Sequence, residues 1–362
     1  MMNKTVELLR SSVWCFLCVI FPVVSVMLCC TGRNDNNRIG GTLRQQKNLL
    51  LAGKVKAVAY SGFRHGQHPD RGNGAVIPSK EEILEDLKIL TKHGNFALIR
   101  LYDSNRNSEM VLEVIRAHHI GMKVLLGAWL DAEISNHEGC GWLNEPIPKE
   151  TLDANTIKNR NQIQNAIRLA NEYKDIVVAV NIGNEALVSW NDHMVSLQSV
   201  KAYVKQVRQA IEQPVTVADN YVWWAGQGAA LAGLVDFIMV HTYPLWEGKN
   251  IDEALSFTLQ NIQDVRNALP ESPMIIGEAG WATTASEFGE RASEENQARY
   301  FNELFDWAAK MNITVFFFEA FDEDWKGDDN PSGAEKHWGL FTVNRKAKLA
   351  MAEQYPERAA KN

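Results

Sequence analysis

The chain reads as an α/β protein folded as a single (β/α)8 TIM barrel, and three observations predict this. Short β-branched or aliphatic runs alternate with amphipathic helical stretches, the mark of a parallel sheet with crossover helices. Several runs are continuously apolar, as in Ile176-Val177-Val178-Ala179-Val180, which a strand buried on both faces requires. Eight such units occur with no large segment left over, and 362 residues, 46 % hydrophobic and 22 % charged, can bury one core of that size.

The eight expected strands lie near Val55 to Tyr60, Ala97 to Tyr102, Lys123 to Trp129, Ile176 to Ile182, Val215 to Asp219, Phe237 to Tyr243, Met274 to Gly277 and Val315 to Phe321. Between the first two, Ser79 with Glu82 forms a capping box; Ile83, Leu84, Leu87 and Leu90 share one face before Gly94 ends the helix. The same periodicity recurs at Val111, Leu112 and Ile115, at Val200, Val204, Val207 and Ile211, and at Tyr300, Phe301, Leu304 and Trp307.

Three segments are expected: 1–30, an export signal or a lipoprotein or membrane anchor; 31–52, a polar linker; and 53–362, the catalytic domain. Lys4 and Arg10 precede an apolar run from Val13 to Cys30, which is the pattern of an export signal and long enough for an anchor. Membrane contact is expected only through that segment. Four of five cysteines lie in it, leaving Cys140 alone in the domain, so no disulfide and no zinc site is expected there. A net charge of −7 supplies no counterion-releasing basic face, which excludes a nucleic-acid partner. Among nine histidines, His65 and His68 lack companion ligands and only His241 ends a strand, where a hydrogen bond to a carboxyl is the expectation. Gly72-Asn73-Gly74 lacks phosphate-loop spacing. No metal and no cofactor are expected.

The carboxyl ends of barrel strands carry the active site, and here they are polar. Glu185 and Glu278 follow strand bodies without charge, at the ends of the fourth and seventh strands. Cleaving a glycosidic bond needs one carboxyl group to protonate the leaving oxygen and another to attack or to activate water; a separation of about 5–5.5 Å implies retention and about 6.5–9.5 Å inversion. Glu185 is the candidate acid/base and Glu278 the candidate nucleophile. Asn184 is placed to bind a sugar hydroxyl beside the reacting carbon, and Arg100 and Tyr243 to keep Glu278 ionised and aimed. Candidate substrate contacts are Tyr102, Asp103, Asn220, Trp246, Trp281 and Trp325. Eleven tryptophans, most of them at strand ends or in the following loops, favour a glycan-lined cleft, because sugar rings stack their C–H faces on flat side chains.

Together these motifs resemble glycoside hydrolase family 17, the β-1,3-glucanase family. Asn184-Glu185 is similar to its acid/base motif, and Gly277-Glu278-Ala279-Gly280-Trp281 to its nucleophile motif. The stretch Phe321-Asp322-Glu323-Asp324-Trp325-Lys326, with Glu335-Lys336-His337-Trp338-Gly339-Leu340-Phe341, is similar to its acidic-lysine cluster. The resemblance implies supporting roles for Glu323, Lys326 and Glu335, and a cleft lined by Tyr102 and Tyr243. It also implies a retaining hydrolase of laminarin-type β-1,3-glucan, or a transglycosylase using the same two glutamates. With the leader, the expectation is a bacterial envelope-anchored member, extracytoplasmic in location. A glycan-binding protein without catalysis is the third reading, against which the glutamate pair argues.

Overall fold

The computed structural model describes residues 55–70 and 72–359. Eight parallel strands close into a barrel in chain order: β1 Ala57–Ala59, β2 Leu98–Arg100, β3 Lys123–Ala128, β4 Val177–Asn184, β5 Val215–Asn220, β6 Ile238–His241, β7 Met274–Gly280 and β8 Val315–Phe318. The expected leader and linker lie outside the described residues.

Continuous apolar runs make this barrel because alternate side chains serve two cores. Ala57, Leu98, Leu125, Ala179, Ala218, Met239, Ile275 and Phe316, one from each strand, pack inside the barrel. Their neighbours, such as Val58, Ile99, Val124, Val180, Val217, Val240, Ile276 and Phe317, face the helices. The outer layer includes Lys80–Thr91, Arg106–Ala117, Lys149–Glu172, Leu197–Ala210, Ile251–Ala268 and Glu294–Met311. The Ser79–Glu82 capping box starts the first of these. Two units depart from the expected pattern. Short helices Tyr221–Gln227 and Ala229–Ala232 link β5 to β6, and among the described residues β8 is followed by the 3-10 turn Ala334–Lys336 and the short α-helix Leu349–Ala352.

Strands β4 and β7 run further than their apolar runs suggest, and each gains a residue on the way. Asn181 and Asn184 of β4 face Thr216 and Ala218 of β5, three steps against two. Likewise Val240 and His241 of β6 face Ile276 and Glu278 of β7. Each is a bulge, which reverses the in-out alternation beyond it. Asn184 thus shares the inward phase of Ala218, and Glu278 that of His241.

Candidate active site

Glu278 enters the barrel mouth from the bulged part of β7 and is almost wholly enclosed, its side chain 6 % exposed. Arg100, buried at the end of β2, brings Nη1 to 2.7 Å from Glu278 Oε1. The Tyr102 hydroxyl donates to the same oxygen at 2.9 Å, and the Tyr243 hydroxyl donates to Oε2. Burial alone would raise the Glu278 pKa, but His241, Arg100 and the two hydroxyls outweigh it and hold the carboxyl below its ordinary range. Burial and the Glu278 charge push both tyrosines well above theirs, so they stay protonated donors.

Glu185 lies one residue beyond β4 with a side chain 25 % exposed. Its φ of +49° is left-handed, costly for a residue with a Cβ and sustained only where the surroundings enforce it. They do so here from several sides. Its N–H donates to the Ala218 carbonyl at 2.9 Å, and its carbonyl accepts from the Asn191 amide. Buried Asp219 accepts from the Leu187 N–H at 3.0 Å, and His193 Nε2 lies 2.8 Å from the Asn184 carbonyl. Burial, then the Glu185 charge, pushes the Asp219 carboxyl well above its usual range.

His241 joins the two carboxyls. Its Nδ1 is 3.0 Å from Glu185 Oε1 and 3.5 Å from Glu278 Oε2. Those oxygens therefore lie no further apart than the two distances laid end to end, a limit reached only if the nitrogen stood on the line between them. Nε2 sits 2.9 Å from Arg100 Nη1, which can only donate. The proton of a neutral ring thus belongs on Nδ1, facing the carboxylates. Arg100 Nη2 also donates to Asn184 Oδ1 at 2.5 Å, which fixes the Asn184 oxygen, rather than its N–H groups, toward Arg100.

A second acidic group lies on the β8 side. Lys326 pairs with Glu319 at 2.5 Å and with Glu323 at 3.0 Å, and Ser61 donates to Glu323. Burial and the nearby Glu323 push the Glu319 carboxyl up against the pull of Lys326. Burial raises the Glu335 pKa too; Lys326 opposes this, while Glu278 and Glu185 add to it. Glu335 thus feels the charges of Glu278 and Glu185, and Lys326 is bonded to Glu319 and Glu323.

Of the expected substrate contacts, Trp281 is corrected. It is fully buried, with its indole N–H donating to the Arg291 carbonyl at 2.8 Å and its ring near Tyr300, so it has no face to offer a ligand. Asp103 and Asn220 work as turn and helix-start acceptors. Asp103 receives the Asn105 N–H and the Ser108 hydroxyl, and Asn220 receives the Val222 N–H. Trp246, 44 % exposed, packs on Phe288 and stacks with Trp338, while Trp325 is half-buried against Phe63. Trp223, Trp224 and Trp338 are core residues. His241 makes the hydrogen bond to a carboxyl that its strand-end position predicts, from Nδ1 to Glu185 Oε1 at 3.0 Å; Glu319, Asp219, Asn191 and His193 were not assigned a role. The places of these four depend on strand register and loop geometry. Among the described residues no cluster of His, Cys, Asp or Glu could hold a metal ion.

Residues 57–339 match the profile of the BtgE/BtgC glycoside hydrolase domain. The chain is 27 % identical to a glucan 1,3-beta-glucosidase of Arthroderma benhamiae, over 82 % of this chain and 91 % of that one. It is 32 % identical to a glucan 1,3-beta-glucosidase of Schizosaccharomyces pombe over 48 % of this chain, spanning 57 % of that relative. An endo-laminarinase from Formosa Hel1_33_131 superposes with a TM-score of 0.72 at 26 % identity, covering 85 % of this chain and 88 % of that one. A glycoside hydrolase family 17 beta-1,3-glucanosyltransferase from Rhizomucor miehei shares the fold, with a TM-score of 0.62 at 24 % identity over 82 % of this chain and 96 % of that one. The expectation of a bacterial envelope-anchored member is corrected by the curated relatives, which are fungal. Among the described residues no helix is long and apolar enough to cross a membrane. With a family profile spanning the barrel from its first strand to beyond its last, and acidic groups converging at its mouth, the chain belongs to the BtgE/BtgC glycoside hydrolase domain family and is a glycoside hydrolase.

Proposed function

We propose that this enzyme cleaves β-1,3-glucan with retention of configuration, Glu185 acting as acid/base and Glu278 as nucleophile. The observation that carries the reading is the shared contact of both carboxyls with His241 Nδ1. It limits the distance between Glu185 Oε1 and Glu278 Oε2 to about 6.5 Å, the lower edge of the inverting range, and this closeness of the facing oxygens supports the retaining arrangement, for which the carboxyls stand about 5–5.5 Å apart. The substrate class rests on the names of the relatives, two glucan 1,3-beta-glucosidases and an endo-laminarinase.

In the first step the Glu278 carboxylate attacks the anomeric carbon while Glu185 gives its proton to the bridging oxygen, and the departing chain leaves as an alcohol. A glycosyl ester remains on Glu278. In the second step Glu185, now ionised, takes a proton from water, whose oxygen attacks the same carbon and expels Glu278. Arg100, Tyr102 and Tyr243 stabilise the carboxylate before attack and again as it leaves. Asn184, whose amide oxygen is held by Arg100, donates through its amide N–H to the neighbouring sugar hydroxyl. A sugar hydroxyl in place of water gives transglycosylation by the same path. The basic-then-apolar N-terminal segment supports action outside the cytoplasm.

The experiment is proton NMR of products released from laminari-oligosaccharides, taken before mutarotation. The β-anomer should appear first. An initial α-anomer would mean inversion and would reject Glu278 as nucleophile. Chromatography of the same reactions at high substrate concentration separates hydrolysis, which yields only shorter sugars, from transfer, which also yields longer ones.

A further inference from the structure

The direction of the Glu185 side chain is set by the two peptide planes that meet at its Cα, one carrying the Asn184 carbonyl and the other its own. One short segment, Asn191-Asp192-His193, grips both. The Asn191 amide donates to the Glu185 carbonyl, and His193 Nε2 stands 2.8 Å from the Asn184 carbonyl oxygen. The segment is folded into one unit, since Asn191 Oδ1 accepts the His193 N–H at 3.1 Å. Asn191 is buried, and its carbonyl accepts from the Asn136 amide at 3.2 Å, which fastens the segment to the loop after β3.

The other ring nitrogen, Nδ1, lies 2.8 Å from Asp192 Oδ1. A carbonyl and a carboxylate only accept, so both ring nitrogens must donate and the ring is a cation. A neutral ring would have one hydrogen for two acceptors. Burial alone would lower the His193 pKa, but the bonds to Asp192 and to the Asn184 carbonyl, with the charges of Asp192 and Glu185, outweigh it and hold the ring above its ordinary value. The bond to His193 in turn holds Asp192 below the usual carboxylate range. The Trp129 ring, just past β3, lies against the imidazolium with centroids 4.6 Å apart at 31°, and an aromatic face attracts a cation. We infer that Asp192 and His193 are positioning residues for the acid/base: the doubly protonated ring, braced by Asp192, holds the Asn184–Glu185 peptide so that the Glu185 carboxyl meets the bridging oxygen. The inference rests on the proposed acid role of Glu185.

The test measures kcat/KM on laminarihexaose, whose leaving group must be protonated, and on a dinitrophenyl β-laminaribioside, whose leaving group need not be. A misplaced proton donor slows the first far more than the second, so the ratio of the two values should fall about tenfold in His193→Ala, carried by kcat. His193→Gln, whose amide can donate to the same carbonyl, should recover part of the loss. Asp192 has a side chain 57 % exposed, so Asp192→Ala is a surface change that tests the brace even if His193→Ala unfolds. Its ratio should fall about threefold, as for loss of an exposed ion pair. Equal losses on both substrates would mean a purely structural role and overturn the inference, as would an unchanged ratio in either folded alanine variant. Glu185→Ala, assayed alongside, keeps this distinct from failure of the acid role. If its ratio collapses while those of the other two hold, only the brace is wrong. If its own ratio holds, Glu185 is not the acid, and the proposed mechanism falls together with the brace.

Discussion

Glu278 is surrounded by Arg100, Tyr102, Tyr243 and His241, and each has a distinct consequence for activity. Glu278→Gln should abolish nearly all turnover while laminari-oligosaccharides still bind, which single-turnover kinetics and calorimetry check together; near-normal turnover would reject the nucleophile. Glu185→Ala should lower turnover of natural glucan about 10²–10⁴-fold. A substrate with a good leaving group, which needs no protonation, should recover the first step, and no recovery in a folded variant would speak against the acid role. With Glu278 as the proposed nucleophile, its depressed pKa should set the acid limb of kcat/KM. The nucleophile must be ionised, so activity should persist as pH falls to the ordinary glutamate value of 4.5 and be lost only below it. Tyr243→Phe removes a donor to the ionised form and should move that limb to higher pH; a limb that stays in place would show that the hydroxyl does not tune the carboxylate. Glu185, Glu278, Arg100 and Tyr243 were legible as polar side chains ending charge-free apolar runs. Trp281 was not, because a tryptophan after a strand has the same one-dimensional pattern whether its ring turns toward the groove or into the core. Asp103 and Asn220 face a related ambiguity, since the side chains that bind sugars are also those that start helices.

Bulges in β4 and β7 do the aiming. Each inserts one residue before the functional side chain, so that Asn184 and Glu278 face inward where uninterrupted alternation would turn them out. Gly277 fits this arrangement because a Cβ there would stand 2.4 Å from Met239 Cγ and 3.2 Å from His241 Cδ2. Gly277→Ala should therefore cost about 1–3 kcal/mol of stability by overpacking and lower kcat as His241 is displaced. Thermal melting and steady-state kinetics read the two effects, and a variant with parental values in both would contradict the tight packing. The apolar runs identified which segments are strands. They did not identify the bulges, because an extra residue is defined by its pairing partner on the next strand.

Pairing of β1 with β8 closes the barrel, and a buried ion pair ties its first helix to the chain beyond β8. Asp86, fully buried in helix Lys80–Thr91, accepts from Arg345 Nε at 2.8 Å and Nη2 at 2.6 Å, and also from Arg64 Nη2 at 2.9 Å. Tyr355 donates to the Ile89 carbonyl at 2.9 Å, tying the same helix to the last described turns. Removing one partner of a buried pair strands the other charge, so Asp86→Ala should cost about 3–5 kcal/mol. Urea unfolding measures this, and a loss under about 1 kcal/mol would mean that the pair does not hold the ends together. Neither residue was distinguished in the sequence. A lone aspartate on a helix face and an arginine 259 positions later carry no mutual signal until the fold pairs them.

The order of strands and helices, the closed parallel barrel and the position of the acidic residues at one end were determined by the sequence alone. Hydrophobic periodicity is local and is set by the burial of each segment. Tertiary structure alone decided which polar residues share a site: that His241 stands between the two carboxyls, that Lys326 serves Glu319 as well as Glu323, and that Trp281 belongs to the core. These are relations between strands and loops far apart in the chain. Their geometry depends on register, bulges and the closure of the barrel, all properties of pairs of segments.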